Sequence, residues 1–97
     1  MFRLGQRSAD RFFTVLYRPN ELNQPRLGFA IARKKVRHAT DRNRLKRVVR
    51  ESFRGRRVEL PSVDLVVLAR DAAQSAANPE LFNSLARHWS KLKEACQ

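Results

Sequence analysis

The chain has 97 residues, room for one domain around one modest core and too few for two. Charged residues make up 31% of it and hydrophobic ones 42%, a balance that excludes a disordered tail. A net charge of +12 and an isoelectric point near 11.5 call for a polyanion, and no apolar run approaches the roughly 18 residues that would cross a membrane.

Residues 1–10, "MFRLGQRSAD", read as an opening loop without a signal-peptide pattern. "RFFTVLYR" (11–18) is rich in aromatic and β-branched residues and predicts a strand, on which Phe12, Thr14 and Leu16 share a face by alternation. "PNELNQP" (19–25) is turn chemistry. "RLGFAIARKKV" (26–36) predicts a second strand, paired with the first as an antiparallel hairpin. Its Leu27, Phe29 and Ile31 would face one way, and the small Gly28, Ala30 and Ala32 the other. A face so bare invites close approach.

"TDRNRLKRVVRESFRGRR" (40–57) predicts a helix with Thr40 as N-cap, Asp41 in its first turn and Gly55 as its stop. At 100° per residue, Leu45, Val48, Val49, Ser52 and Phe53 fall on one side as a core stripe. Asn43, Lys46, Arg47, Arg50 and Arg54 fall near the opposite pole, with Arg42 and Arg44 flanking them. Like charges at this spacing repel by a few tenths of a kcal/mol per pair, so a partner that neutralises them is expected. Glu51 reads as bridging neighbouring arginines.

"VDLVVLAR" (63–70) is a nearly continuous apolar run, the pattern of a central strand buried on both faces. A small-residue connection follows. Asn78 then reads as the cap of a last helix, with Pro79 at its first position and Leu81, Leu85, Trp89 and Leu92 as its apolar stripe beside His88. Phe13, Val15, Phe29, Phe53 and Trp89 are assigned to the core. The single cysteine, Cys96, can form no internal disulfide, and no cysteine–histidine cluster offers a metal site, which fits a reducing cytoplasm.

The stretch from Lys34 to Arg54, "KKVRHATDRNRLKRVVRESFR", closely resembles the signature of the bacterial ribonuclease P protein subunit. The flanking "RLGFAIA" and "DLVVLAR" fit the same family, so the resemblance covers nearly the whole chain. It implies one α/β (α+β) domain over residues 1–97, with a central mixed sheet of about four strands. The basic helix would sit in a left-handed βαβ crossover, and a C-terminal helix would pack on the sheet. It also implies a protein that binds the ribonuclease P catalytic RNA and helps it cleave the 5′ leader from precursor tRNA; with no apolar stripe left over, a cytoplasmic monomer, one copy per RNA, is expected. The RNA would carry the Mg²⁺-dependent chemistry, leaving the protein without catalytic residues, metal or cofactor of its own.

By resemblance, Arg42, Asn43, Arg44, Lys46, Arg47 and Arg50 contact the catalytic RNA, flanked by Lys34 and Lys35; Arg54 joins them on helical geometry. A shallow cleft would hold the single-stranded leader, with Phe2, Phe12, Thr14 and Leu16 as its candidates. Family members usually begin with a helix carrying two spaced phenylalanines; this chain starts at what reads as that helix's last turn, leaving only Phe2. Two other readings compete, a protein nuclease and a plain binding module for DNA or for RNA. A protein nuclease would need clustered carboxylates, and the nearest approach to a pair is Glu51 and Asp64. A DNA reader would need a helix-turn-helix pair or a zipper, and neither is present. A general structured-RNA binder of ribosomal type fits charge and fold equally well and fails only on the motif.

Overall fold

The computed structural model describes residues 6–30 and 36–95. Four strands, β1 (Gln6–Ala9), β2 (Phe13–Pro19), β3 (Arg26–Ala30) and β4 (Val63–Ala69), form one sheet in the order β1-β2-β4-β3. Helix α1 (Ala39–Arg56) joins β3 to β4, and α2 (Asn78–Ala95) closes the described chain. Only the β3–β4 pair is parallel, so the sheet is mixed and the fold is α+β.

Two expectations about strand pairing are corrected. The opening segment is a loop only in part, because Gln6–Ala9 pairs antiparallel with β2. Its turn is built by Asp10, whose Oδ1 accepts the N–H groups of Phe12 and Phe13 at 2.9 Å each, while the Asp10 amide donates to the Phe13 carbonyl. The second correction concerns β2 and β3, which do not pair; β4 lies between them. The connecting loop has to span two inter-strand spacings, roughly 10 Å, which two residues of tight turn could not do. Asn20 organises it, donating from its side-chain amide to the Gln24 carbonyl and to Asp64, and accepting from the Leu22 amide. Asn23 takes the left-handed conformation, φ 60°, which asparagine tolerates.

Strand β4 is central as expected, but it is fully buried on one face only. Val63, Leu65, Val67 and Ala69 lie under the helices, whereas Asp64, Val66 and Leu68 are half-exposed. The helix-side core joins Phe13, Val15 and Tyr17 of β2 to Leu45, Val48 and Val49 of α1 and Leu81, Leu85, Trp89 and Leu92 of α2. Phe29 and Phe53 pack at its margin. Trp89 locks the two helices together. Its indole N–H donates to Ser52 Oγ at 2.8 Å, and its ring meets Phe53 edge-on at 6.2 Å.

The helix ends differ from expectation by a residue or two. Thr40 lies inside α1, and His38 holds the cap position without a side-chain bond. Gly55 is passed through, because α1 runs on to Arg56 and continues into a short 3₁₀ turn, Arg57–Glu59. At α2, the Ala77 carbonyl accepts the first helical bond from Leu81, and the Ala77 amide donates back to Glu80 Oε1. Asn78 is therefore a helical residue, and its side chain is used elsewhere.

Between β1 and α2 lies a buried polar cluster. Ser8 Oγ is 2.7 Å from His88 Nδ1, and His88 Nε2 faces Asp10 Oδ2 at 3.3 Å, too poorly aligned for a true hydrogen bond. Ser84 also donates to that carboxylate. Burial pushes the His88 pKa below its ordinary value, and the attraction of Asp10 only partly offsets it. At Asp10 burial acts to raise the pKa, but the bonds from Ser84 and the Phe13 and Phe12 amides hold it below the usual range.

Both shifts give the same sign of pH dependence. The folded chain binds fewer protons than the unfolded chain, so stability falls as the pH drops through about 6.5 for His88, and again through about 4 for Asp10. Urea titrations between pH 7.5 and 5.5 should show this loss in the native sequence and a flatter profile in His88→Gln. An unchanged slope in the variant would assign the dependence to another group.

Candidate nucleic-acid interface

The buried stripe of α1 fixes its rotation about its own axis. With Leu45, Val48 and Val49 turned into the core, Asn43, Lys46, Arg47, Arg50 and Arg54 are all exposed. None of these four cations has a carboxylate within ion-pair distance among the described residues. Glu51 stands exposed in their midst without pairing to any of them, contrary to expectation. The paired acids lie elsewhere: Glu59 with Arg56 and Lys93, Asp64 with Arg26 and Arg18, and Asp10 with Arg87. The outer face of α1 is thus a row of cations left uncompensated by the described residues.

Arg42 and Arg44 belong to a different arrangement. Both are half-buried, and both donate into the chain. Arg42 Nη1 donates to the Val36 and Arg37 carbonyls at 3.0 and 2.9 Å, closing the segment that leads into α1. Arg44 reaches across to the connection before α2. Its Nη1 donates to the Ala76 carbonyl at 3.1 Å and Asn78 Oδ1 at 2.8 Å, and its Nη2 to the Gln74 carbonyl at 3.0 Å. Part of each guanidinium fork is therefore committed to backbone carbonyls of the chain itself. The helical pattern sets these two arginines at the flank of the exposed row and the resemblance assigns them to RNA; their acceptors, up to 34 residues away, give no local signal.

A second surface lies on the sheet face turned away from the buried core. The pairing aligns Ala9, Thr14, Leu68 and Ala30 in one row and Arg7, Leu16, Val66 and Gly28 in the next. Thr14 and Leu16, both cleft candidates, are half-exposed there. Phe12, the next candidate, is more enclosed. It directly precedes β2, its carbonyl accepting the Arg70 amide at 2.8 Å, and it is buried with the Arg11 guanidinium 5.6 Å from its ring centre. Phe2, Lys34 and Lys35 lie outside the described residues. Among the described residues no group of three histidine, cysteine or carboxylate side chains converges as a metal set, and no helix is long and apolar enough to cross a membrane.

A sequence model of the family Ribonuclease P matches residues 1–93. The chain is 51% identical to the ribonuclease P protein component of Methylococcus capsulatus over 96 residues, covering 99% of this chain and 75% of that protein. With the counterpart from Nitrosococcus oceani it shares 47% identity, covering 99% and 81%. Among solved structures, the ribonuclease P protein of Staphylococcus aureus superimposes with a TM-score of 0.83 at 32% identity, covering 93% of this chain and 82% of that one. The Thermotoga maritima protein gives 0.83 at 32%, covering 93% and 86%.

The two groups of arginines should separate in stability measurements. Arg44→Ala should destabilise the fold by about 1–2 kcal/mol, because it removes the bonds to two carbonyls. Arg47→Ala or Arg50→Ala should leave stability within about 0.5 kcal/mol or raise it slightly, as repulsion is removed. Urea denaturation at neutral pH reads both. Equal losses for all three would erase the distinction.

Proposed function

The chain belongs to the ribonuclease P protein family, and from that premise we propose that it is the subunit which seats the catalytic RNA on the outer face of α1 and carries the 5′ leader of precursor tRNA on the half-exposed sheet face. The observation that carries this reading is the row Lys46, Arg47, Arg50 and Arg54, exposed and without acidic partners among the described residues. Guanidinium groups suit phosphates because their planar forks make paired charge-assisted bonds, and they stack on exposed bases as well. Asn43 lies on the same face, adding an amide that both donates and accepts. The positive end of the α1 dipole, free of a side-chain cap, favours a phosphate near the first turn.

In this reading the protein supplies charge and shape, and the chemistry belongs to the RNA with its Mg²⁺ ions. Asp64, the described carboxylate most engaged with basic groups, is held by Arg26 and Asn20 and is not available as a general base or metal ligand. Thr14, Leu16, Val66 and Leu68 offer a half-exposed surface of modest polarity, on which successive nucleotides can lie without strict sequence reading. One copy of the protein per RNA in the cytoplasm completes the proposal.

A reconstitution tests it. With a bacterial ribonuclease P RNA and a 5′-labelled precursor tRNA at low Mg²⁺, the protein alone should cut nothing and the mixture should cleave at the mature 5′ end. The double variant Arg47→Ala, Arg50→Ala should lose that rescue at matched concentration, by about tenfold or more if each contact contributes about 1–3 kcal/mol. RNA binding without any rescue of cleavage would favour a general RNA-binding role.

A further inference from the structure

At one end of the half-exposed sheet face, the pairing places three charged residues side by side on neighbouring strands: Arg18 of β2, Asp64 of β4 and Arg26 of β3. They form one wall of a shallow pocket of about 360 Å³, whose floor is Gly28 and Val66 from the adjacent row. That is the size of a small ligand site. Two features make this pocket more than an accident of the sheet edge.

The first is Arg26. Its Nε and Nη2 donate to the two oxygens of Asp64 at 2.8 and 3.0 Å, a bidentate pair, while Asn20 donates to the same carboxylate at 2.9 Å. Arg26 holds the Asp64 carboxyl well below its ordinary pKa, so the pair persists through mildly acid conditions. The side chain is nonetheless 59% exposed. A guanidinium fixed in orientation at its inner edge, with a face open to solvent, is prepared to stack rather than to search. The second feature is Gly28. A Cβ built there would meet only the Leu65 carbonyl oxygen at 3.4 Å and Val66 Cγ2 at 3.5 Å, ordinary contacts, so packing within the described chain does not demand glycine. Its φ is not positive, so backbone conformation does not demand it either. What glycine does provide is depth, by letting a flat group lie on the strand itself.

We infer that this pocket is a nucleobase subsite, in which one unpaired base of a single-stranded RNA lies on Gly28 and Val66 against the plane of the Arg26 guanidinium. Asp64 acts as the positioning residue that sets that plane. Arg18 stands beside it to meet the adjoining phosphate. Stacking of this kind tolerates any base, since all four present a flat π-face, and the committed inner edge of Arg26 leaves little for reading base edges. The inference rests on the proposal that the leader of precursor tRNA runs over this face.

The test is an abasic scan. Precursor tRNAs carrying a single abasic nucleotide at successive leader positions are titrated against the protein assembled with ribonuclease P RNA. The wild type should lose affinity on the order of tenfold at one position. In Gly28→Val, which fills the floor, and in Arg26→Lys, which keeps the charge but not the plane, that position should become silent. Unchanged melting temperatures would show that both variants fold. If affinity depends on leader length but both variants keep the wild-type abasic profile, the pocket holds no base and the inference falls. If affinity does not depend on the leader at all, the proposed leader surface falls with it.

Discussion

Repulsion among Lys46, Arg47, Arg50 and Arg54 is the constraint around which the rest of the molecule is arranged. Each like-charged pair one turn apart costs a few tenths of a kcal/mol, and these exposed cations have no acid within reach among the described residues to offset it. The opposing force lies on the other side of the same helix. Full burial of Leu45, Val48 and Val49 contributes about 1.5–3 kcal/mol for each large side chain, several times the repulsion. The helix survives because its inner face is much more favourable than its outer face is unfavourable. Its rotation is fixed by the same fact, and the cations can point nowhere but outward.

The arginines flanking that face reinforce the arrangement. Arg42 closes the segment leading into α1, and Arg44 straps its second turn to the connection before α2, while Trp89 joins the helices further along. Sheet, α1 and α2 therefore form one rigid support, and an outside anion meets a surface whose ordering cost is already met by the core. The distribution of acids makes the same point. Asp10, Glu59 and Asp64 are each placed against specific basic groups away from the outer face of α1, so the positive field there is undiluted by the chain's strongest ion pairs.

Much of this could be read from the sequence where the determinants are local. The stripes of α1 and α2 are periodic over whole helices, and the apolar run of β4 could only be central; Leu45, Val49, Leu85 and Trp89 stand where periodicity puts them. The misses share a cause. Strand β1 is polar and short, and it is fastened by Ser8 and Asp10 to residues of α2 some 80 positions away, which no local pattern reveals. The hairpin expected between β2 and β3 does not form because neighbours in sequence are not neighbours in this sheet, where β4 lies between them. The likeness of Arg42 and Arg44 to their neighbours concealed acceptors that only the folded chain brings near. The Arg18–Asp64–Arg26 row depends on register across three strands, two of them distant in sequence.

In the proposed reading, the exposed cations on the outer face of α1 hold the RNA and the partly committed Arg44 chiefly holds the fold. The salt dependence of binding to a bacterial ribonuclease P RNA tests it most directly, because each phosphate contact releases counterions and steepens the plot of log affinity against log salt. Replacing Lys46, Arg47, Arg50 and Arg54 together by alanine should reduce that slope by roughly one unit per lost phosphate contact, whereas Arg44→Ala should leave it unchanged. A fourfold variant with the native slope, or an Arg44 variant that flattens it as much, would contradict the account.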